Sequence, residues 1–131
     1  MKRLLLSIAP VVVGVSLLVG CGSSPATSAG KAQFCQDDSV LDKATFGVST
    51  ADGLLQAMRA NQSTIDDFGK TAPPEINTDA QALVTAAKTA VNSNSAAGLA
   101  DPNLQAASNR VDTFCGLNSH GDPIGNASST A

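Results

Sequence analysis

The chain has 131 residues, a formal net charge of −3 and no tryptophan or tyrosine, and 43% of its residues are hydrophobic. This length suits one small domain, and the acidic balance, with no cluster of basic residues after Arg3, argues against a nucleic-acid partner. Glycine-rich phosphate-binding motifs and the Gly-x-Ser-x-Gly motif are also absent, which argues against nucleotide-binding proteins and serine hydrolases.

The first 21 residues have the order of a bacterial export signal. Lys2 and Arg3 precede an apolar stretch over residues 4–18, which spans about 22 Å as a helix, against a hydrocarbon core of about 30 Å. The sequence Leu-Val-Gly-Cys at 18–21 resembles the lipobox of bacterial lipoproteins. This resemblance implies that residues 1–20 are a cleaved signal peptide and that Cys21 becomes the acylated N-terminus. An uncleaved membrane helix is the alternative, but we expect a lipid anchor on the extracytoplasmic face of the cell membrane.

Two cysteines remain once Cys21 carries the lipid. Exported proteins meet an oxidising environment, so Cys35 and Cys115 are predicted to form a disulfide. Two free thiols or a metal site are the alternatives. The chain has a single histidine and no Cys-x-x-Cys motif, so no metal site and no cofactor are predicted.

The composition divides the rest of the chain into three segments. Residues 21–33 comprise the lipidated N-terminus and a tether without large apolar side chains, which is predicted to be flexible. Residues 34–117 carry the apolar residues of one helical domain. Residues 118–131 are rich in Gly, Asn and Ser and are predicted to form a disordered tail.

Apolar residues at helical spacing predict two helices in the first half of the domain. The first covers about residues 34–45, although Asp37 and Asp38 fall where its apolar face should continue. Ser49 or Thr50 caps the second, and Gly69 helps to end it. The apolar face of this second helix comprises Leu54, Leu55, Met58, Ile65 and Phe68.

Two further helices complete the domain. Thr78 is the predicted cap of the third, whose apolar face comprises Ile76, Ala80, Leu83, Ala87 and Val91. Asp101 and Pro102 start the fourth and Gly116 closes it. The apolar face of the fourth comprises Leu104, Ala107, Val111 and Phe114.

Four helices with short connections predict a small all-α domain, an up-down four-helix bundle. In this topology the start of the first helix and the end of the fourth lie at the same end of the bundle. Cys35 and Cys115 occupy those two positions, so the predicted fold and the predicted disulfide support each other.

Few residues suggest chemistry. His120 lies beyond the last helix and is predicted to be a solvated tail residue, since a general base needs a positioned partner. The pairs Asp37–Asp38 and Asp66–Asp67 are interpreted as solvated helix faces rather than cation sites. Met58 lies on an apolar face and is assigned to the core. No catalytic residue is predicted.

The mature chain also resembles a known group. Phe-Cys at 34–35, Ala-Pro-Pro-Glu-Ile at 72–76 and Phe-Cys at 114–115 are similar to motifs of small helical lipoproteins of actinobacteria, including mycobacteria. The resemblance implies a cell-envelope location and no particular activity. We expect a membrane-anchored, non-enzymatic binding or interaction module of unknown specificity, whose partner is an unknown envelope protein or an apolar ligand. A carrier of a lipid or other apolar small molecule is the first alternative, and an enzyme is the second.

Overall fold

The computed structural model describes residues 28–125, and this part of the chain is mostly helical. It contains no β-strand, and it has a short 3₁₀ helix (Ala97–Ala100) and five α-helices: α1 (Ser28–Thr45), α2 (Ala51–Ala60), α3 (Gln62–Thr71), α4 (Asn77–Ser93) and α5 (Pro102–Cys115). None of the helices in residues 28–125 is long and apolar enough to cross a membrane. The predicted signal peptide, the lipidation site Cys21, the first part of the tether and the last six residues of the tail lie outside the described residues.

The described chain has one α-helix more than the sequence predicts, because the predicted second helix is interrupted at Asn61. This residue has φ −112° and ψ 23°, outside the helical region, and its side-chain Nδ2 donates a hydrogen bond to the carbonyl of Ala57 at 2.8 Å. Asparagine competes in this way with helical hydrogen bonds and favours helix ends. Ile65 and Phe68 therefore belong to a separate helix, and the predicted four-helix bundle is not confirmed.

Two helix starts also differ from the prediction. Helix α1 begins at Ser28 rather than near Phe34, so it extends into the segment predicted as a tether. Helix α4 begins at Asn77, and its N-cap is Ile76 without a side-chain hydrogen bond, so the predicted cap at Thr78 is wrong. Thr78 already lies within the first turn of the helix.

Three predicted helix ends are confirmed. The Thr50 side chain accepts a hydrogen bond from the backbone N–H of Gly53, and Asp101 accepts one from the N–H of Asn103 at 2.8 Å. Gly116 closes α5 with φ +66°, a left-handed conformation that glycine adopts without steric cost.

Aromatic residues from three helices form the centre of the core. The ring of Phe34 stacks on Phe68 with 4.5 Å between centroids and meets the edge of Phe114 at 6.2 Å. Val111 and Ala80, both fully buried, pack in the same cluster. This core joins α1, α3, α4 and α5 beside the disulfide.

Residues 116–125, which follow α5, form a hook over α1. The prediction of a disordered tail over residues 118–131 is therefore wrong for residues 118–125. The Ser39 hydroxyl donates a hydrogen bond to the carbonyl of Gly121 at 2.6 Å, and Lys43 lies 3.4 Å from the Asp122 carboxylate. Gly121 has φ +76° and is buried, and a Cβ atom there would lie 2.7 Å from the Ser39 carbonyl oxygen. The hook therefore needs glycine at this position for both its backbone angle and its close approach to α1.

Candidate functional site

The predicted disulfide between Cys35 and Cys115 is confirmed, and it clamps the beginning of the domain to its end. The two Cα atoms lie 5.3 Å apart across a sequence separation of 80 residues. The bond joins α1 to the last residue of α5 and fixes how these two helices face each other.

Three carboxyl groups lie close together one helical turn from the disulfide, on the side towards the middle of the chain. Asp38 follows Cys35 by three residues on α1, and Asp112 precedes Cys115 by three on α5. Residues three and four apart share a helix face, so both aspartates point in the same general direction as the bridged cysteines, and Asp42 continues the face of Asp38. One carboxylate oxygen from each of Asp38, Asp42 and Asp112 lies within 4.8 Å of the others. We call these three residues the acidic cluster.

The acidic cluster is buried and short of hydrogen-bond donors. The exposed fraction is 5% for Asp38 and 6% for Asp112, while Asp42 is partly buried. Asp38 Oδ2, Asp42 Oδ2 and Asp112 Oδ1 are buried without a hydrogen-bond partner. When one of Asp42 and Asp112 is protonated, it can donate a hydrogen bond to the other. When both are ionised, neither has a hydrogen to donate.

Burial and mutual repulsion make ionisation of these carboxyls unfavourable. Loss of hydration, followed by the nearby charges of Asp42 and Asp112, raises the pKa of Asp38 to about 8. Loss of hydration and the facing Asp112 raise the pKa of Asp42 to about 7, and burial also raises the pKa of Asp112. A cluster of this kind either holds protons or holds a cation, metallic or organic.

A cavity of about 260 Å³ adjoins the acidic cluster, and Asp38 and Asp42 form part of its wall. The rest of the wall is mainly apolar and comes from several helices, with Leu54 and Met58 of α2, Leu83 and Ala86 of α4 and Leu104 of α5. The cavity therefore combines a large apolar surface with a small acidic one, an arrangement common in small-molecule sites.

The interpretation of Asp37 and Asp38 as a solvated face is wrong. Both are buried, and Gln33 is the one side chain within residues 28–125 that donates a hydrogen bond to Asp37, with 2.8 Å between Nε2 and Asp37 Oδ1. Burial likewise raises the pKa of Asp37. They are buried because α1 packs against α3 and α5 on the face that carries these residues. The two aspartates therefore lie within the packed interior.

The remaining sequence candidates lie apart from the cavity. Asp66 and Asp67 are solvent-accessible, as predicted, and form ion pairs with Lys88 and Lys70 respectively. His120 is exposed in the hook, and its ring lies 3.9 Å from that of Phe46.

Met58 packs against the core, as predicted, and it also lines the cavity. Sequence reasoning missed the acidic cluster, for which the one available signal was an aspartate at an apolar position of α1. No protein-family model, curated protein or solved structure matches the chain.

Proposed function

We propose that this protein is a lipid-anchored, non-enzymatic binding module of the bacterial cell envelope, and that its cavity binds an apolar small molecule. The observation that carries the proposal is the cavity of about 260 Å³ with its mainly apolar wall. An apolar cavity of roughly 150 Å³ is enough to bind benzene, so this one has room for a larger molecule.

The small side chains of the wall explain why the helices leave this space open. Ala44 of α1, Ala57 of α2 and Ala86 of α4 face the cavity, where larger side chains would have filled it. The core cluster fixes the spacing of α1, α3, α4 and α5. These helices therefore cannot move closer together to fill the cavity.

Two features support the proposed location. The lipobox pattern at residues 18–21 supports acylation of Cys21, and two or more acyl chains are enough for durable membrane attachment. The Cys35–Cys115 disulfide supports export, because disulfides persist outside the reducing cytoplasm.

Native mass spectrometry tests the cavity. The core, disulfide, hook and cavity all lie within residues 28–125, so residues 22–131 exported from a cleavable signal keep every contact described above. We expect a co-purifying apolar molecule that is released on denaturation. Ala86→Phe fills the cavity and should abolish this extra mass, whereas Ala82→Phe, on the exposed face of the same helix, should retain it. A bare wild-type mass after expression in the native host would contradict the proposed function.

Peptide mass spectrometry of the protein from native membranes tests the anchor separately. We expect an N-terminal peptide that begins with acylated Cys21. Retention of Met1 would contradict the proposed anchor and location and would leave binding in the cavity to be judged by its own experiment.

A further inference from the structure

We propose that the ligand of the cavity is an apolar molecule that carries one protonated amine, with the ammonium group among Asp38, Asp42 and Asp112 and the apolar body along the helical walls. This inference rests on the proposed function, to which it adds the chemical class of the ligand.

The first argument is the lack of a cation for the acidic cluster within residues 28–125. Lys43, one residue from Asp42, turns to Asp122 in the hook, and Arg110, two residues from Asp112, forms two hydrogen bonds with Asp79. The other lysine and arginine side chains of this part of the chain are also engaged elsewhere: Lys31 with Phe114, Arg59 with Asn94, Lys70 with Asp67 and Lys88 with Asp66. The His120 ring lies against Phe46 in the hook. Within residues 28–125 no side chain supplies the cluster with a positive charge, and we assign that charge to the ligand.

The second argument is the number and placement of free acceptors. Asp38 Oδ2, Asp42 Oδ2 and Asp112 Oδ1 are buried without donors, and Asp38 itself lies in the cavity wall. A primary ammonium group has three N–H donors and no acceptor, so one such group can serve three carboxylates. Charge-assisted hydrogen bonds of this kind are among the strongest that proteins form.

The third argument is that a single ligand has to suit two different surfaces. A bare divalent cation would satisfy the carboxylates and leave the apolar wall of Leu54, Leu83 and Leu104 uncovered. A neutral apolar molecule would cover the wall and leave buried acceptors without partners, which is costly. An anionic amphiphile would bring no positive charge and would be repelled whenever one of these carboxyls is ionised. An apolar amine matches both surfaces.

The raised pKa values of the cluster agree with this assignment. In the absence of a positive charge, loss of hydration and mutual repulsion raise the pKa of Asp38 to about 8, so protons take the place of a cation. An ammonium group favours the ionised carboxylates and lowers those pKa values, so its binding releases protons.

Isothermal titration calorimetry at pH 7.5 on residues 22–131 tests the inference with three probes of one chain length: n-octylamine, n-octanol and octanoate. We expect n-octylamine to bind roughly tenfold or more tightly than n-octanol, as one charge-assisted contact would give, and octanoate to bind least. Asp38→Asn keeps the side-chain shape and should weaken n-octylamine roughly tenfold while leaving n-octanol unchanged. Asp42→Asn serves as a second variant, and Asp67→Asn, in the exposed pair with Lys70, should leave all three affinities unchanged.

The outcomes separate this inference from the proposed function. Equal affinity for n-octylamine and n-octanol, abolished for both by Ala86→Phe, would overturn the amine assignment and leave binding of an apolar molecule in place. Failure of every probe to bind would overturn both. Calcium chloride titrated as a fourth probe would overturn the amine assignment if it bound in an Asp38-dependent manner and n-octylamine did not.

Discussion

The disulfide end of the domain and the acidic cluster lie one turn apart on the same two helices, yet they are packed in opposite ways. At the disulfide, Phe34 stacks on Phe68 and its ring has no exposed surface. One turn further along α1 and α5, Asp38 and Asp112 are buried without enough donors, and Asp38 borders a cavity. The region at the disulfide is closely packed and apolar, whereas the region of the acidic cluster contains buried carboxyls and adjoins a cavity.

This difference shows how a small domain can maintain a costly site. Burying unpaired carboxyls and leaving a cavity both reduce stability, whereas the aromatic core and the cross-link increase it. Because both regions share α1 and α5, the stable region holds the unstable one in position. Such local departures from good packing are expected where a protein binds something.

Removing the disulfide is expected to change the stability of the domain more than any other substitution proposed here. We expect Cys35→Ser with Cys115→Ser to lower the free energy of unfolding by about 4–5 kcal/mol, because the bond closes a loop with a sequence separation of 80 residues. Thermal denaturation measures the change, and wild-type protein in reducing agent should reproduce it. An unchanged melting temperature would show that the core alone holds the two helices against the acidic cluster.

A pH titration tests the acidic side of the comparison. The pKa values of Asp38 and Asp42 are raised from 3.8 to about 8 and about 7, so the folded protein binds more protons than the unfolded chain. The resulting stability is fully present below about pH 4 and is lost as the pH rises to about 8. Without added ligand, we expect a loss on the order of 3 kcal/mol between pH 5 and pH 8.5, the cost of an uncompensated buried charge.

Chemical denaturation at each pH measures this loss, and Asp38→Asn should reduce it. The salt bridges of Asp66 and Asp79 lower their pKa values, so these groups lose their favourable contribution only in acid and do not oppose the trend above pH 5. A stability that rises from pH 5 to pH 8.5 would contradict the burial of the acidic cluster.

A pair of matched valine substitutions compares packing directly. Val111 has 0% of its surface exposed and does not line the cavity, whereas Val84 belongs to the same core cluster and also lines the cavity. We expect Val111→Ala to cost about 2 kcal/mol of folding free energy, and Val84→Ala about half as much, because its methyl groups have fewer neighbours to lose. Equal losses in urea denaturation would mean that the cavity wall is as tightly packed as the core.

A pair of glycine substitutions tests how the hook supports α1 beside the acidic cluster. Gly121 and Gly47 both have φ +76°, but only at Gly121 would a Cβ atom meet another group, the Ser39 carbonyl oxygen at 2.7 Å. Gly47→Ala should therefore cost about 1 kcal/mol for the backbone angle alone, and Gly121→Ala roughly 1–2 kcal/mol more. Similar melting temperatures for the two variants would mean that the hook contributes little to the position of α1.

The features predicted correctly from the sequence depend on local chemistry. The caps at Thr50 and Asp101 and the left-handed Gly116 follow from what these residues do to the nearest turn of backbone. The disulfide followed from the number of cysteines and the proposed export.

The errors have two causes, a local hydrogen bond that ends a helix and the tertiary packing of distant residues. The apolar spacing continues past Asn61 and therefore predicts one helix. The Asn61 side chain instead donates a hydrogen bond to a carbonyl of α2 and ends that helix, and apolar periodicity does not reveal this competition. Asp38 and Asp112 lie 74 positions apart in the chain, and only the packing of α1 against α5 brings them together. Aspartate is so often exposed that Asp37 and Asp38 were interpreted as a solvated helix face and not as part of the core.

The position of the disulfide also determines how the protein responds to mechanical force. Cys35 and Cys115 lie near the two ends of the folded segment, and the S–S bond connects them covalently. A pull applied between the chain before residue 35 and the chain after residue 115 is therefore carried by this bond, and residues 36–114 remain outside the loaded path. Tension is expected to unwind the turns of α1 before Cys35 and to detach the hook, while the parts of the helices that line the cavity bear no load.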